Sequence, residues 1–268
     1  MQELSPYESE KVVSNLRFVD GLAWSRSGFL AVADVRQNKI FRFDTSPRPT
    51  VLQENDGGAS GLAYDLQGRL FICESQTRRI TRLDKDRTET LAESYMGKKF
   101  NAPNDIVVRK DGHVFFTDPA FGDANDRREL DFYGVWHISP KGDLDVLAKW
   151  QTRPNGVALS ADGKTLFVAD SDRHAVVAID PEHGNQRDVI KGIAGVPGGL
   201  KTDVNGRIYV AAKGVAIYSA DGKLQRTLLE GERAVNCAFG ENDLESLFIG
   251  SGRNIYRVKL GVKGALQY

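Results

Sequence analysis

The chain has 268 residues, 41% hydrophobic and 27% charged, enough for one domain with a full core. Lys+Arg and Asp+Glu both number 36, so the net charge is zero, and there is no basic block or acidic tail of the kind nucleic acid selects. No run approaches the roughly 18 apolar residues of a membrane-spanning helix, so neither nucleic acid nor membrane is an expected partner.

The N-terminal "MQELSPYESEK" has no positively charged start and no apolar core of a leader. The expectation is a cytoplasmic protein, or a periplasmic or secreted one whose leader has been removed. Next, "EKVVSN" resembles the last strand of a repeat whose other strands lie elsewhere. Six similar segments then follow in order: "FVDGLAWSRSGFLAVADVRQNKIFRFD", "GASGLAYDLQGRLFICESQTRRITRLD", "APNDIVVRKDGHVFFTDP", "RPNGVALSADGKTLFVADSDRHAVVAID", "GVPGGLKTDVNGRIYVAAKGVAIYS" and "AVNCAFGENDLESLFIGSGRNIYRV". Each is a short apolar strand, a polar turn and a second apolar strand, and most add a third. Turn pairs such as Asp111-Gly112, Asp162-Gly163 and Asn205-Gly206 supply the positive φ that a tight hairpin needs. Runs such as "DVLAKW" and "RTLLEG" provide a fourth strand.

The equivalent positions Gly21, Gly61, Asp105, Gly156, Gly199 and Cys237 lie 40, 44, 51, 43 and 38 residues apart. Four-stranded units at about that period predict a β-propeller. The expected fold is therefore all-β, a six-bladed propeller of antiparallel blades filling residues 1–268 as one domain. Closure comes from the chain termini, which removes the exposed sheet edge. Five or seven blades are the alternatives if one unit is misread.

In a propeller the first strand of each blade lines the axis. The residue before each aligned position then belongs to a ring around one channel mouth: Asp20, Ser60, Asn104, Asn155, Gly198 and Asn236. The ring explains why "NAPNDIVV" leads an apolar strand with an amide and a carboxylate, since its first turn faces a wet cavity. Oxygen-only side chains suit a hard cation, and a single carboxylate implies weak binding. The competing reading is that these Asn and Ser side chains only bond turn backbone and water.

Asp34, Glu74, Asp118 and Asp170 end the second strands and are expected to cap the following turns. Cys73 and Cys237 sit in apolar runs and read as buried free thiols. His113, His137, His174 and His183 are scattered, and no nucleophile elbow, phosphate loop or zinc spacing occurs. Trp24, Trp136 and Trp150 read as packing residues. The extra charged loop "DANDRREL" in blade three is placed to cover the mouth.

"PNDIVVRKDGHVFFTDPAFG", "ELDFYGVWHISPKG" and "PNGVALSADGKTLFVADS" closely resemble the senescence marker protein/gluconolactonase family of six-bladed propellers, over nearly the whole chain. The family includes regucalcin, sugar-acid lactonases and diisopropylfluorophosphatases. The resemblance implies one divalent metal at the channel centre, whether Ca²⁺, Mg²⁺, Mn²⁺, Zn²⁺ or Fe²⁺, and hydrolysis of a small lactone. Asn104 and Asn155 match the family's metal-binding Asn positions, and Asp20 of "DGLAW" takes the place of a Glu. Where the family has "PDG", this chain has "PGG", so Gly198 replaces the ligating Asp that is thought to act as base.

The leading expectation is thus a metal-dependent lactonase-type hydrolase acting on a small molecule, a monomer by default. Asp20, Asn104 and Asn155 hold the metal, Asp20 or Asp105 acts catalytically, and Ser60 and Asn236 contact substrate. The alternative is a propeller that binds a small ligand without chemistry, because Gly198 has no side chain. A metal-free reaction of the strictosidine-synthase kind would need a carboxylate in an apolar pocket, and no candidate stands out.

Overall fold

The computed structural model describes residues 7–44, 49–55 and 57–266, which leaves the first residues of the N-terminal segment outside it. Six antiparallel sheets are arranged as blades. Blade one is Val19–Ser25, Phe29–Asp34, Lys39–Phe43 and Thr50–Glu54. Blade two is Ala59–Tyr64, Leu70–Glu74, Arg79–Asp84 and Arg87–Ala92. Blade three is Ile106–Val108, Val114–Asp118, Tyr133–Ile138 and Leu144–Trp150, and blade four is Pro154–Leu159, Leu166–Asp170, Ala175–Ile179 and Gln186–Lys191.

Blade five departs from the pattern. Its second element, Ile208–Tyr218, pairs with Leu200–Thr202 through its first residues and with Leu224–Arg233 through its last. Gly214, at φ +77°, sits at the register shift between Lys213 and Val215 within the second pairing, and this one element takes the place of the second and third strands of the other blades. Blade six is Asn236–Gly240, Ser246–Ser251, Asn254–Lys259 and the N-terminal Ser9–Val13. Ser9 pairs with Val258 and Lys11 with Tyr256, the closure expected from "EKVVSN". Pairing of the N-terminal strand onto the C-terminal three completes blade six with four strands.

The core consists of wedges between blades. One apolar cluster fills each of the six junctions, for example Phe71, Cys73, Phe100, Phe116 and Trp136 between blades two and three, or Tyr209, Val215, Cys237 and Phe239 between blades five and six. Period-2 alternation on each strand feeds one side chain to each neighbouring blade, which is why the second strands are buried on both faces. Trp24 stacks on Phe248 across the one–six junction at 5.7 Å, and Trp136 is fully buried among aromatics. Both cysteines are buried and free, and burial pushes the Cys237 thiol up to about 12. Among the described residues no helix is long and apolar enough to cross a membrane.

Candidate active site at the upper channel mouth

The first strands enter the axis from one face, here the upper face. Glycine follows the ring position in four blades because the next blade presses against it. A Cβ on Gly21 would lie 1.8 Å from the Ser60 carbonyl oxygen, one on Gly61 2.6 Å from that of Asn104, and one on Gly156 2.3 Å from that of Gly198. The Gly61 N–H donates to Asn104 O at 2.6 Å and the Gly156 N–H to Gly198 O at 3.1 Å, so the ring is sewn together by backbone.

Blade three carries Asp105 in place of this glycine. Its carboxylate is 2% exposed and crosses to blade four, where Oδ2 accepts the Val157 N–H at 3.0 Å. The Asn236 side chain of blade six also hydrogen-bonds it. Burial raises the Asp105 pKa, opposed by the Lys201 ammonium and by these donors. Asp105 is thus a buried tie between blades three, four and six.

The other predicted residues divide into two groups. Asp20 is only partly enclosed, and no hydrogen bond engages its carboxylate among the described residues. Burial, then the nearby Asp105 charge, pushes its pKa up to about 7. Asn104 is likewise partly enclosed, its backbone held by Thr117 O, Ser60 Oγ and Gly61 N while its side-chain amide has no protein partner among the described residues. Asn155 Nδ2 donates to Ser171 Oγ at 3.0 Å, which leaves Oδ1 without a donor.

Ser60 and Asn236 are already engaged. Ser60 is 2% exposed and donates to Pro103 O and Asn104 O, at 3.1 and 2.8 Å. Asn236 is 4% exposed, and its Oδ1 accepts the Cys237 N–H at 2.8 Å. They therefore stand behind the residues that face the mouth. Gly198 is closed off more firmly, since a Cβ there would lie 2.4 Å from the Val235 carbonyl oxygen. Gly199 is packed against Asn236 Oδ1, 1.9 Å from where its Cβ would sit. The glycine pair lets blades four, five and six approach.

The acids that end the second strands do more than cap turns. Asp34 accepts the Gln37 N–H but also the Arg17 and Phe18 N–H groups at 2.7 and 3.0 Å, ahead of the blade-one ring position. Asp118 binds the Asn101 and Ala102 N–H groups, both at 2.8 Å, ahead of Asn104. Asp170 accepts from Thr152 Oγ1 at 2.6 Å ahead of Asn155, and from the Arg173 N–H in its own turn. These buried carboxylates fix the chain that delivers each ring residue. The periodic spacing was the signal for them, but their second partners come from residues distant in sequence.

The blade-three insertion forms a short 3₁₀ turn over Gly122–Arg127 on the upper face. Tyr133 Oη donates to Asn125 Oδ1 at 2.9 Å, and Glu129 pairs with Arg78 at 3.0 Å. A small hairpin, Ser94–Tyr95 with Lys98–Lys99, was not foreseen in the sequence; it presents Met96 at 85% exposure.

A family model described as SMP-30/Gluconolactonase/LRE-like region matches residues 8–253. The chain belongs to this family. It is 29% identical to a gluconolactonase of Zymomonas mobilis over 93% of this chain and 80% of that protein. The solved structure of a gluconolactonase from Xanthomonas campestris is 28% identical, with a TM-score of 0.86 over 94% of this chain and 89% of that one. A regucalcin from Agrobacterium tumefaciens, described as a calcium-binding protein, superposes with a TM-score of 0.82 at 17% identity over 98% and 96% of the two chains; at that identity the likeness is one of fold alone.

Proposed function

We propose that this protein hydrolyses a sugar-acid lactone or related cyclic ester at the upper mouth, with a divalent cation held by Asp20, Asn104 and Asn155. The observation that carries the reading is that Asp20 and Asn104 keep polar side chains without protein partners among the described residues, while the Asn104 backbone is held by Thr117, Ser60 and Gly61. An unpaired carboxylate beside amide oxygens free of donors fits a hard cation. Membership of the family, and gluconolactonases among the relatives, support the bond type. A Ca²⁺, Mg²⁺, Mn²⁺, Zn²⁺ or Fe²⁺ ion bound there would polarise the lactone carbonyl.

The chain supplies the remaining parts. A carboxylate has two oxygens, so Asp20 can serve as ligand through one and accept a proton from the attacking water through the other. In the metal-free protein the Asp20 pKa is raised by burial and then by the nearby Asp105 charge, and a bound cation would lower it. Water adds to the carbonyl, the ring C–O bond breaks, and the departing alkoxide takes up the proton that Asp20 received, which gives the open hydroxy acid. Asp105 raises the basicity of Asp20 by its charge. Ser60 and Asn236 position Asn104 and Asp105 from behind. The protein acts as a monomer on a small molecule.

A second reading, a propeller that binds a small ligand without turnover, rests on Gly198, where the family's blade-five carboxylate has no room. Metal content of undialysed protein, with melting temperature before and after chelation, separates the two. Near-stoichiometric metal and a chelator-sensitive melt, both lost in Asn104→Ala, support the hydrolase. A metal-free protein whose melt ignores chelator and added Ca²⁺, together with no turnover across a lactone panel, would leave the binding reading.

A further inference from the structure

Around the turn that follows the second strand of blade one lies an open concavity of about 680 Å³ lined by Arg17, Val35, Arg36, Asn38, Gln76 and Arg253. Three of these six residues are arginines, in a protein with zero net charge. Among the described residues none of the three guanidinium groups is paired with a carboxylate, although many other surface arginines are, such as Arg42, Arg82, Arg109 and Arg153. Asp34, two residues before Arg36, is engaged by the Arg17, Phe18 and Gln37 donors.

The walls are built rather than loose. Asp34 pins the backbone of Arg17 and the turn that carries Arg36, and the Val35 N–H donates to Phe18 O at 3.1 Å. Arg36 lies over the Phe18 ring, 5.7 Å from its centroid. Arg253 is locked to Leu16 in both directions, Nε to Leu16 O at 2.9 Å and the Leu16 N–H to Arg253 O at 3.2 Å. Asn38 Oδ1 accepts the Gly58 N–H at 3.0 Å and so ties the concavity to blade two. Arg253 is held through its Nε and Arg36 by the Phe18 ring, while Arg17 is fixed only at its backbone; guanidinium groups without a carboxylate partner match the oxygens of phosphate and carboxylate.

We propose that the substrate is anionic: a lactone or cyclic ester that carries a phosphoryl or carboxylate group, held among Arg17, Arg36 and Arg253 while its ring reaches the mouth. The inference rests on the hydrolase reading and names its substrate class. Arg17 precedes Asp20 by three residues, on the order of 10 Å of extended chain. A six-carbon lactone with the charge on its far end spans that order of distance. A concavity of arginines also raises the local concentration of anions and speeds their encounter at low salt.

The test compares three substrates on the full chain: an uncharged aldonolactone, its phosphorylated form and a carboxylate-bearing form. Inorganic phosphate serves as a separate binding probe in calorimetry. The expected result is a kcat/KM for at least one anionic form about tenfold or more above the uncharged form, lost in Arg36→Gln and Arg253→Gln through KM, with the uncharged form unaffected. Whether the phosphoryl or the carboxylate form gains more identifies the group. Phosphate binding should weaken in the same variants and at high salt. Equal turnover of charged and uncharged lactones with no effect of the variants, or phosphate binding that survives them, would overturn the anion site and leave the hydrolase reading intact. Phosphate binding that depends on the arginines, with no lactone of any kind turned over, would uphold the anion site and sink the hydrolase reading instead.

Discussion

The two halves of the axial ring differ in kind. On the side of blades one, three and four, Asp20, Asn104 and Asn155 have side-chain oxygens that no donor among the described residues reaches, and the Asn104 and Asn155 backbones are tied to Thr117. On the side of blades five and six, Gly198, Gly199 and Asn236 are packed so closely that no added atom fits without movement. The first half leaves side-chain oxygens without protein donors among the described residues, and the second has no space for a side chain at Gly198. The absence of a side chain at Gly198 therefore accords with blade packing, since a Cβ there would meet the Val235 carbonyl. Putting the family's carboxylate back is not a simple repair.

The largest effect should come from the open half. Asn104→Ala and Asp20→Asn are expected to lower lactone kcat/KM by at least about 10² while leaving the fold intact, as activity assays beside circular dichroism would show. An unchanged rate in both would remove the distinction between the halves.

Next come the closed-half substitutions. Gly198→Asp brings a Cβ against the Val235 carbonyl, and overpacking of this kind typically costs about 1–3 kcal/mol. In a chain of this size that lowers the melting temperature by several degrees, and no activity is gained. Gly199→Ala meets the Asn236 side chain first, so its cost should be relieved in the Asn236→Ala background. A Gly198→Asp protein that melts like wild type and hydrolyses faster would show that the junction is looser than the packing implies.

Asp105→Ala tests the tie between the halves. It leaves the Val157 N–H unsatisfied in a buried place, an expected loss of about 1–3 kcal/mol in a urea titration.

A smaller effect concerns pH. An acid whose pKa is raised on folding binds its proton more tightly in the native state, so stability is greatest at low pH and falls as pH rises from about 4 towards 7. In chelator, wild type should melt a few degrees higher at pH 5 than at pH 7.5. Asp20→Asn should flatten the part of this slope that is due to Asp20. A slope of the opposite sign in that window, unchanged by the substitution, would refute the assignment.

Much of this contrast was legible in the sequence. The spacing of Gly21, Gly61, Asp105, Gly156, Gly199 and Cys237 yielded six blades, and "EKVVSN" yielded the closure, because a repeat imposes its period on every local signal. The same alignment singles out Asp20, Ser60, Asn104, Asn155, Gly198 and Asn236 as one position per blade. What stayed hidden depends on contacts across blades. Ser60 and Asn236 read as pocket residues because only tertiary packing shows that Pro103, Asn104, Cys237 and Asp105 already engage them. The tightness at Gly198 comes from Val235, a residue of the next repeat. Arg17, Arg36 and Arg253 converge from opposite ends of the chain, so no local pattern joined them.

The most direct test of the central claim is the initial rate of acid release from an aldonolactone by the purified protein, before and after chelation and with cation restored. The account predicts that chelation abolishes release and that a divalent cation restores it in wild type, but not in Asn104→Ala. Release that continues at the same rate in chelator and in Asn104→Ala would contradict it.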